Sequence, residues 1–123
     1  MYMTKVKAQQ YATYWNRYYL ESKKKEDARR MRFREYARDI ARRLCEDYGA
    51  SKVLLFGSVI ESYWLPDDID LAVEGLSDEA FYKAVFDVQG IADCRVDVVA
   101  IEDLPTRFRQ HIYETGEILY ESS

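Results

Sequence analysis

Apolar positions in the first third of the chain fall on helical spacing. Tyr11, Tyr14, Trp15, Tyr18 and Tyr19 recur at i, i+3, i+4, i+7 and i+8, which lines five aromatic rings along one helix stripe. A basic cluster, Lys23, Lys24 and Lys25, follows. From about Glu26 the pattern resumes as a second helix. Its apolar face is Phe33, Ala37, Ile40, Ala41, Leu44, Cys45 and Tyr48, and Arg29, Arg30, Arg34, Arg38, Arg42 and Arg43 take the other faces. Gly49 supplies the stop. After Gly49 the period becomes that of strands: Lys52 to Phe56 (KVLLF), Asp68 to Val73 (DIDLAV) and Arg95 to Ala100 (RVDVVA). Ser77, followed by Asp78 and Glu79, caps a helix that Gly90 closes. Pro105 opens another reaching Thr115, and Gly116 precedes a short strand, Glu117 to Tyr120. This order predicts an α+β (α/β) fold, a mixed β-sheet backed by helices with an N-terminal helical extension.

Composition narrows the picture. With 123 residues, 48% hydrophobic and 33% charged, the chain suits one small core and excludes a multidomain enzyme carrying its own substrate-recognition module. No apolar run approaches the roughly 20 residues of a membrane helix. The N-terminus lacks the apolar stretch of a signal peptide, so a cytoplasmic protein is expected. Cys45 and Cys94 are too few for a disulfide framework or a zinc site and read as reduced, packed thiols. Charge divides the chain: residues 1–50 hold 13 Lys and Arg against 7 Asp and Glu (+6), whereas residues 51–123 hold 5 against 15 (−10). We therefore expect a basic, aromatic helical extension over 1–50 and a chemically distinct domain over 51–123.

Candidate chemistry concentrates in Leu55 to Val73, LFGSVIESYWLPDDIDLAV. Strand side chains alternate faces, so Asp68 and Asp70 project together and Ile69 points away. Asp97 lies inside an apolar run, where an uncompensated charge is expensive to bury. Alone it reads equally well as an acid satisfied by backbone donors; beside the first two carboxylates it reads as a third ligand. Three clustered carboxylates repel one another. Mg²⁺ removes that conflict, because it takes hard oxygen ligands and keeps positions open for substrate phosphates. Gly57 and Ser58 sit where strand turns into helix. They allow close backbone approach and offer N–H groups and a hydroxyl to phosphate oxygens, although Ser58 serves equally as a helix cap. Together these features point to phosphoryl chemistry on a nucleotide.

The same residues resemble a known family. FGS, a short spacer, DIDLAVEGL and a later VDVV look like the minimal nucleotidyltransferase (MNT) domain of the DNA polymerase β superfamily. The ending LPTRFRQHIYETGEILYE extends the likeness over about Ala50 to Glu121. The resemblance implies a nucleotidyltransferase-like fold and triphosphate binding at Gly57 and Ser58. It also implies two Mg²⁺ ions held by Asp68, Asp70 and Asp97 as metal-binding catalytic residues, with ATP as substrate. Many MNT proteins of this size are antitoxins paired with HEPN-type RNase toxins (type VII toxin–antitoxin), in which AMP passes from ATP to a tyrosine of the toxin. The implied function is thus AMPylation of a HEPN toxin partner. Two alternatives stand beside it: another acceptor presented by a separate subunit, and an MNT fold that silences its partner by binding alone. The spacer VIESYWLPD departs from the family pattern, being short and holding Glu61 but no Arg or Lys. Basic groups from the N-terminal half or from a partner would then neutralise phosphate.

Other features read more plainly. Asp67, after Pro66, is a turn residue. His111, the sole histidine, reads as a surface residue. Tyr63, Trp64 and Leu65 either stack on a nucleobase or pack at the base of a loop. The aromatic stripe leaves apolar area to cover, by docking to another protein, by homo-oligomerisation, or by folding back on the second helix. Its basic neighbours are interleaved with acids in an acidic chain, which favours a solvated face over direct nucleic-acid binding.

Overall fold

A computed structural model describes residues 5–61 and 68–122. Its first element is one helix where two were expected: α1 runs unbroken from Lys5 to Glu46. Residues 5–46 contain no Gly or Pro, and the segment around Lys23 to Ala28 is rich in helix formers, so nothing stops the hydrogen-bond ladder near Glu26. It ends where the sequence predicts. Gly49 adopts φ +88°, and the Gly49 and Ala50 N–H groups donate to the Cys45 and Leu44 carbonyls at 3.2 and 3.0 Å, the first being the bond of an αL cap.

The two halves of α1 live in different environments. Phe33, Ala37, Ile40, Ala41, Leu44 and Cys45 are buried, whereas Tyr11, Tyr14, Trp15, Tyr18 and Tyr19 remain 52–64% exposed. Tyr14, Trp15 and Tyr18 pack edge-to-face, with centroids 5.6 and 5.8 Å apart. A continuous helix cannot fold this stripe onto its own second half, which removes that alternative.

Strands β1 (Lys52–Phe56), β2 (Asp68–Glu74), β3 (Arg95–Ala100) and β4 (Glu117–Glu121) form one sheet in the order β3-β2-β1-β4. β1 runs antiparallel to β2 and β4, and β2 runs parallel to β3, giving the expected mixed sheet. A one-turn helix, α2 (Ser58–Glu61), follows β1. α3 (Asp78–Val88) starts at Ser77, whose hydroxyl accepts the Ala80 N–H at 3.2 Å, and α4 (Thr106–Thr115) precedes β4. A 3₁₀ turn over Ile101–Asp103, which the sequence pattern did not signal, joins β3 to α4.

Strand alternation distributes the core between two faces. Val53, Leu55, Ile69, Leu71, Val73 and Val96 pack with α1 and α3 in the larger cluster. Leu54 and Ala72 meet Ile101 and Ile112 in a smaller one beneath α4. Each fully buried Leu or Ile contributes roughly 1.5–3 kcal/mol, so the α1 side dominates stability. Asp68 and Asp70 share the face of Ala72. The α4 cluster reaches Ala72 without extending to them, which leaves both carboxylates only half-buried. Among the described residues, no helix is long and apolar enough to cross a membrane.

α4 is also pinned to the sheet by the Tyr113 hydroxyl, which donates to Glu74 Oε2 at 2.5 Å. That hydrogen bond, reinforced by partial burial and the Glu74 charge, pushes the phenol up from 10.0 to about 12. The folded state thus holds the proton where the unfolded chain has lost it. The contribution is complete below pH 10 and disappears as pH rises toward 12. Tyr113→Phe should therefore flatten the decline of stability between pH 10 and 12 in urea titrations. Equal slopes for the two proteins would show that the contact carries no linkage.

Candidate active site

The register of β2 against β3 decides the geometry. Asp70 lies opposite Asp97, and Asp68 lies opposite Arg95. Parallel strands in this register send Asp70 and Asp97 from the same face, with Asp68 two residues along on that side. One carboxylate oxygen from each of the three lies within 4.8 Å of the others, and all three residues are half-buried. The sequence had left open whether Asp97 joins the pair; the strand order resolves this by putting β3 next to β2.

Gly57 borders the cluster. It adopts φ +79°, and a Cβ built there would run into the Asp70 carboxylate. Glycine is thus required twice, by the backbone conformation and by the closeness of β1's end to Asp70. Ser58 is the first residue of α2, while its side chain lies outside the described residues. The turn brings its backbone to the carboxylate end of the sheet, since Phe56 pairs with Asp70.

One neighbour of the cluster escaped the sequence reading. Arg95 Nε donates to Asp97 Oδ1 at 2.9 Å. The signal was present as spacing, because Arg95 and Asp97 stand two apart on one strand and share a face. Arg95 has 75% of its side chain exposed, so the pair is weak and the guanidinium is easily displaced. Asp67, Tyr63, Trp64 and Leu65 lie outside the described residues. His111 is on the exposed side of α4. Burial pushes the Cys45 and Cys94 thiols above their ordinary value, which disfavours reactive thiolate at both.

A strand, a left-handed glycine turn, and three acids on one face of two parallel strands form a hard-oxygen site next to backbone donors. A family model described as "Polymerase beta, Nucleotidyltransferase" matches residues 39–123, more than two thirds of the chain. The chain belongs to this family. It is a nucleotidyltransferase by that membership, and its fold agrees with solved relatives. One is a chain from a toxin–antitoxin complex with AMP-PNP, at TM-score 0.57 and 23% identity, covering 70% of this chain and 74% of that one. A second, from the MntA–HepT toxin–antitoxin, has TM-score 0.54 and 22% identity over 72% and 73% of the two chains. A third, described as a candidate minimal nucleotidyltransferase, has TM-score 0.53 and 29% identity over 64% and 85%. A comparison with curated proteins returns no match. The nucleotidyltransferase match begins within α1, so the helix before residue 39 lies outside the matched segment.

Proposed function

We propose that this nucleotidyltransferase transfers AMP from ATP to a hydroxyl of a protein partner, and that the partner is a HEPN-type RNase toxin neutralised by the transfer. The observation that carries the chemistry is the convergence of Asp68, Asp70 and Asp97 beside Gly57. The donor set fits magnesium, because all three groups offer hard carboxylate oxygen and no soft ligand is among them. Asp68, Asp70 and Asp97 would hold two Mg²⁺ ions, which when bound neutralise charge on the attacking and leaving oxygens of an in-line displacement.

The remaining work falls to the chain itself. Gly57 and Ser58 present backbone N–H groups to the phosphates, and the absent Cβ at Gly57 lets the substrate approach. Asp97 accepts the proton of the acceptor hydroxyl. The hydroxyl oxygen bonds to the α-phosphorus of ATP as the bond from that phosphorus to pyrophosphate breaks. Most of the acceleration comes from positioning and charge neutralisation, since such transition states ask little covalent participation of the protein.

Two observations support the partner. The fold is shared with a chain solved in a toxin–antitoxin complex containing AMP-PNP. The exposed aromatic stripe of α1 offers an adhesive face of a kind small soluble domains rarely leave uncovered. In functional terms the exposed first half of α1 is the docking part of the 1–50 extension, while its buried second half packs into the nucleotidyltransferase domain of residues 51–123, acting in the cytoplasm. Incubation with [α-³²P]ATP, Mg²⁺ and a purified HEPN toxin tests this directly. A covalently labelled toxin that has lost RNase activity is expected. A stable complex without label would overturn AMP transfer in favour of inhibition by binding.

A further inference from the structure

α1 reaches the nucleotide end of the fold from outside the segment the family shares. Arg30 Nη1 donates to the Val59 carbonyl of α2 at 2.8 Å, and its Nη2 meets Glu26 Oε1 at 3.3 Å. Its side chain is only 19% exposed, so these contacts are partly shielded from water. One turn further on, Arg34 forms an ion pair with Glu117, which is the β4 partner of Leu55 near the end of β1. Arg30 and Arg34 stand at i and i+4, on one helix face, but reach different elements: Arg30 meets α2 directly after the turn that holds Gly57, whereas Arg34 meets β4. They line a polar cleft of about 630 Å³ together with Lys23, Glu26, Asp27, Tyr19, Val59 and Ile60.

We propose that Arg30 is a positioning residue for polyphosphate binding. By fixing the carbonyl end of the single-turn helix α2, it holds the Gly57–Ser58 turn in the orientation that meets the β- and γ-phosphates. Among the described residues α2 spans four, too few to be rigid alone. Val59 anchors its apolar side in the core, and Arg30 anchors its backbone through a charge-assisted hydrogen bond. Loss of that bond leaves the fold standing and the turn misaimed. The inference rests on reading Gly57 and Ser58 as the phosphate turn.

Calorimetric binding of ATP and of AMP, each with Mg²⁺, to the full chain and to Arg30→Gln separates the two levels. Wild type should prefer ATP. In Arg30→Gln the ATP affinity should fall about tenfold, the size expected for losing one hydrogen bond to a charged group, with AMP affinity and Tm nearly unchanged. Arg30→Lys, which keeps a cation and a donor, should recover part of the preference, and it replaces the Gln variant should the latter unfold. Arg34→Gln serves as the control: its pair with Glu117 touches β4 and not α2, so it should alter Tm without changing the ATP-to-AMP ratio. An unchanged ratio in the Arg30 variants, or equal losses for both nucleotides, overturns the positioning role. No preference for ATP in wild type would overturn the phosphate-turn reading itself and this inference with it.

Discussion

Replacing Asp68 and Asp70 together by alanine is expected to abolish nucleotidyl transfer while leaving the protein folded. Both carboxylates project from the α4 face of β2, beyond the cluster formed by Leu54, Ala72, Ile101 and Ile112, so alanine there opens no cavity in either core. Removing them also relieves the mutual repulsion of three acids whose oxygens fit within 4.8 Å. Asp97 alone cannot supply the donor set that Mg²⁺ needs beside substrate phosphates. The lost electrostatic stabilisation is several kcal/mol of barrier, at least about a 10³-fold fall in rate. Labelled-AMP transfer and thermal melting, measured on the same preparation, check the two halves of the expectation. Transfer that persists in the double variant defeats the catalytic assignment. A melting temperature that collapses would instead make the pair structural.

Much of this site was legible in the amino-acid sequence. Period-two alternation in DIDLAV is enough to place Asp68 and Asp70 on one face, because a strand offers only two faces. Gly57 was legible for a similar reason: a glycine at the end of a buried strand marks a turn or a close approach, and here it is both. Asp97 was harder, since its role depends on which strand lies next to β2, and pairing is a long-range choice that local pattern does not encode. The continuous α1 was misread because a change from aromatic to basic composition looks like a boundary, while the backbone responds to Gly, Pro and caps, none of which occurs there. Arg30 was illegible as anything but one arginine among many. Its reach to the Val59 carbonyl exists only once α1 crosses the end of the sheet.

Two glycines of similar conformation separate backbone strain from damage to the site. Gly49 has φ +88°, and a methyl group added there would meet nothing within 4 Å, so Gly49→Ala should cost only the left-handed penalty, about 1–2 kcal/mol. Gly57 has φ +79°, and there the added methyl also strikes the Asp70 carboxylate, so Gly57→Ala should cost that much and displace a proposed metal ligand as well. A displacement on the order of 1 Å at a reacting centre lowers rate about 10²-fold. The two variants are therefore expected to melt within a few degrees of each other, while Gly57→Ala alone loses transfer by about 10²-fold and weakens Mg²⁺-dependent ATP binding. Equal activity in the pair would mean that Asp70 can move aside without consequence, and the approach of β1's end to β2 would then be a packing feature with no part in the chemistry.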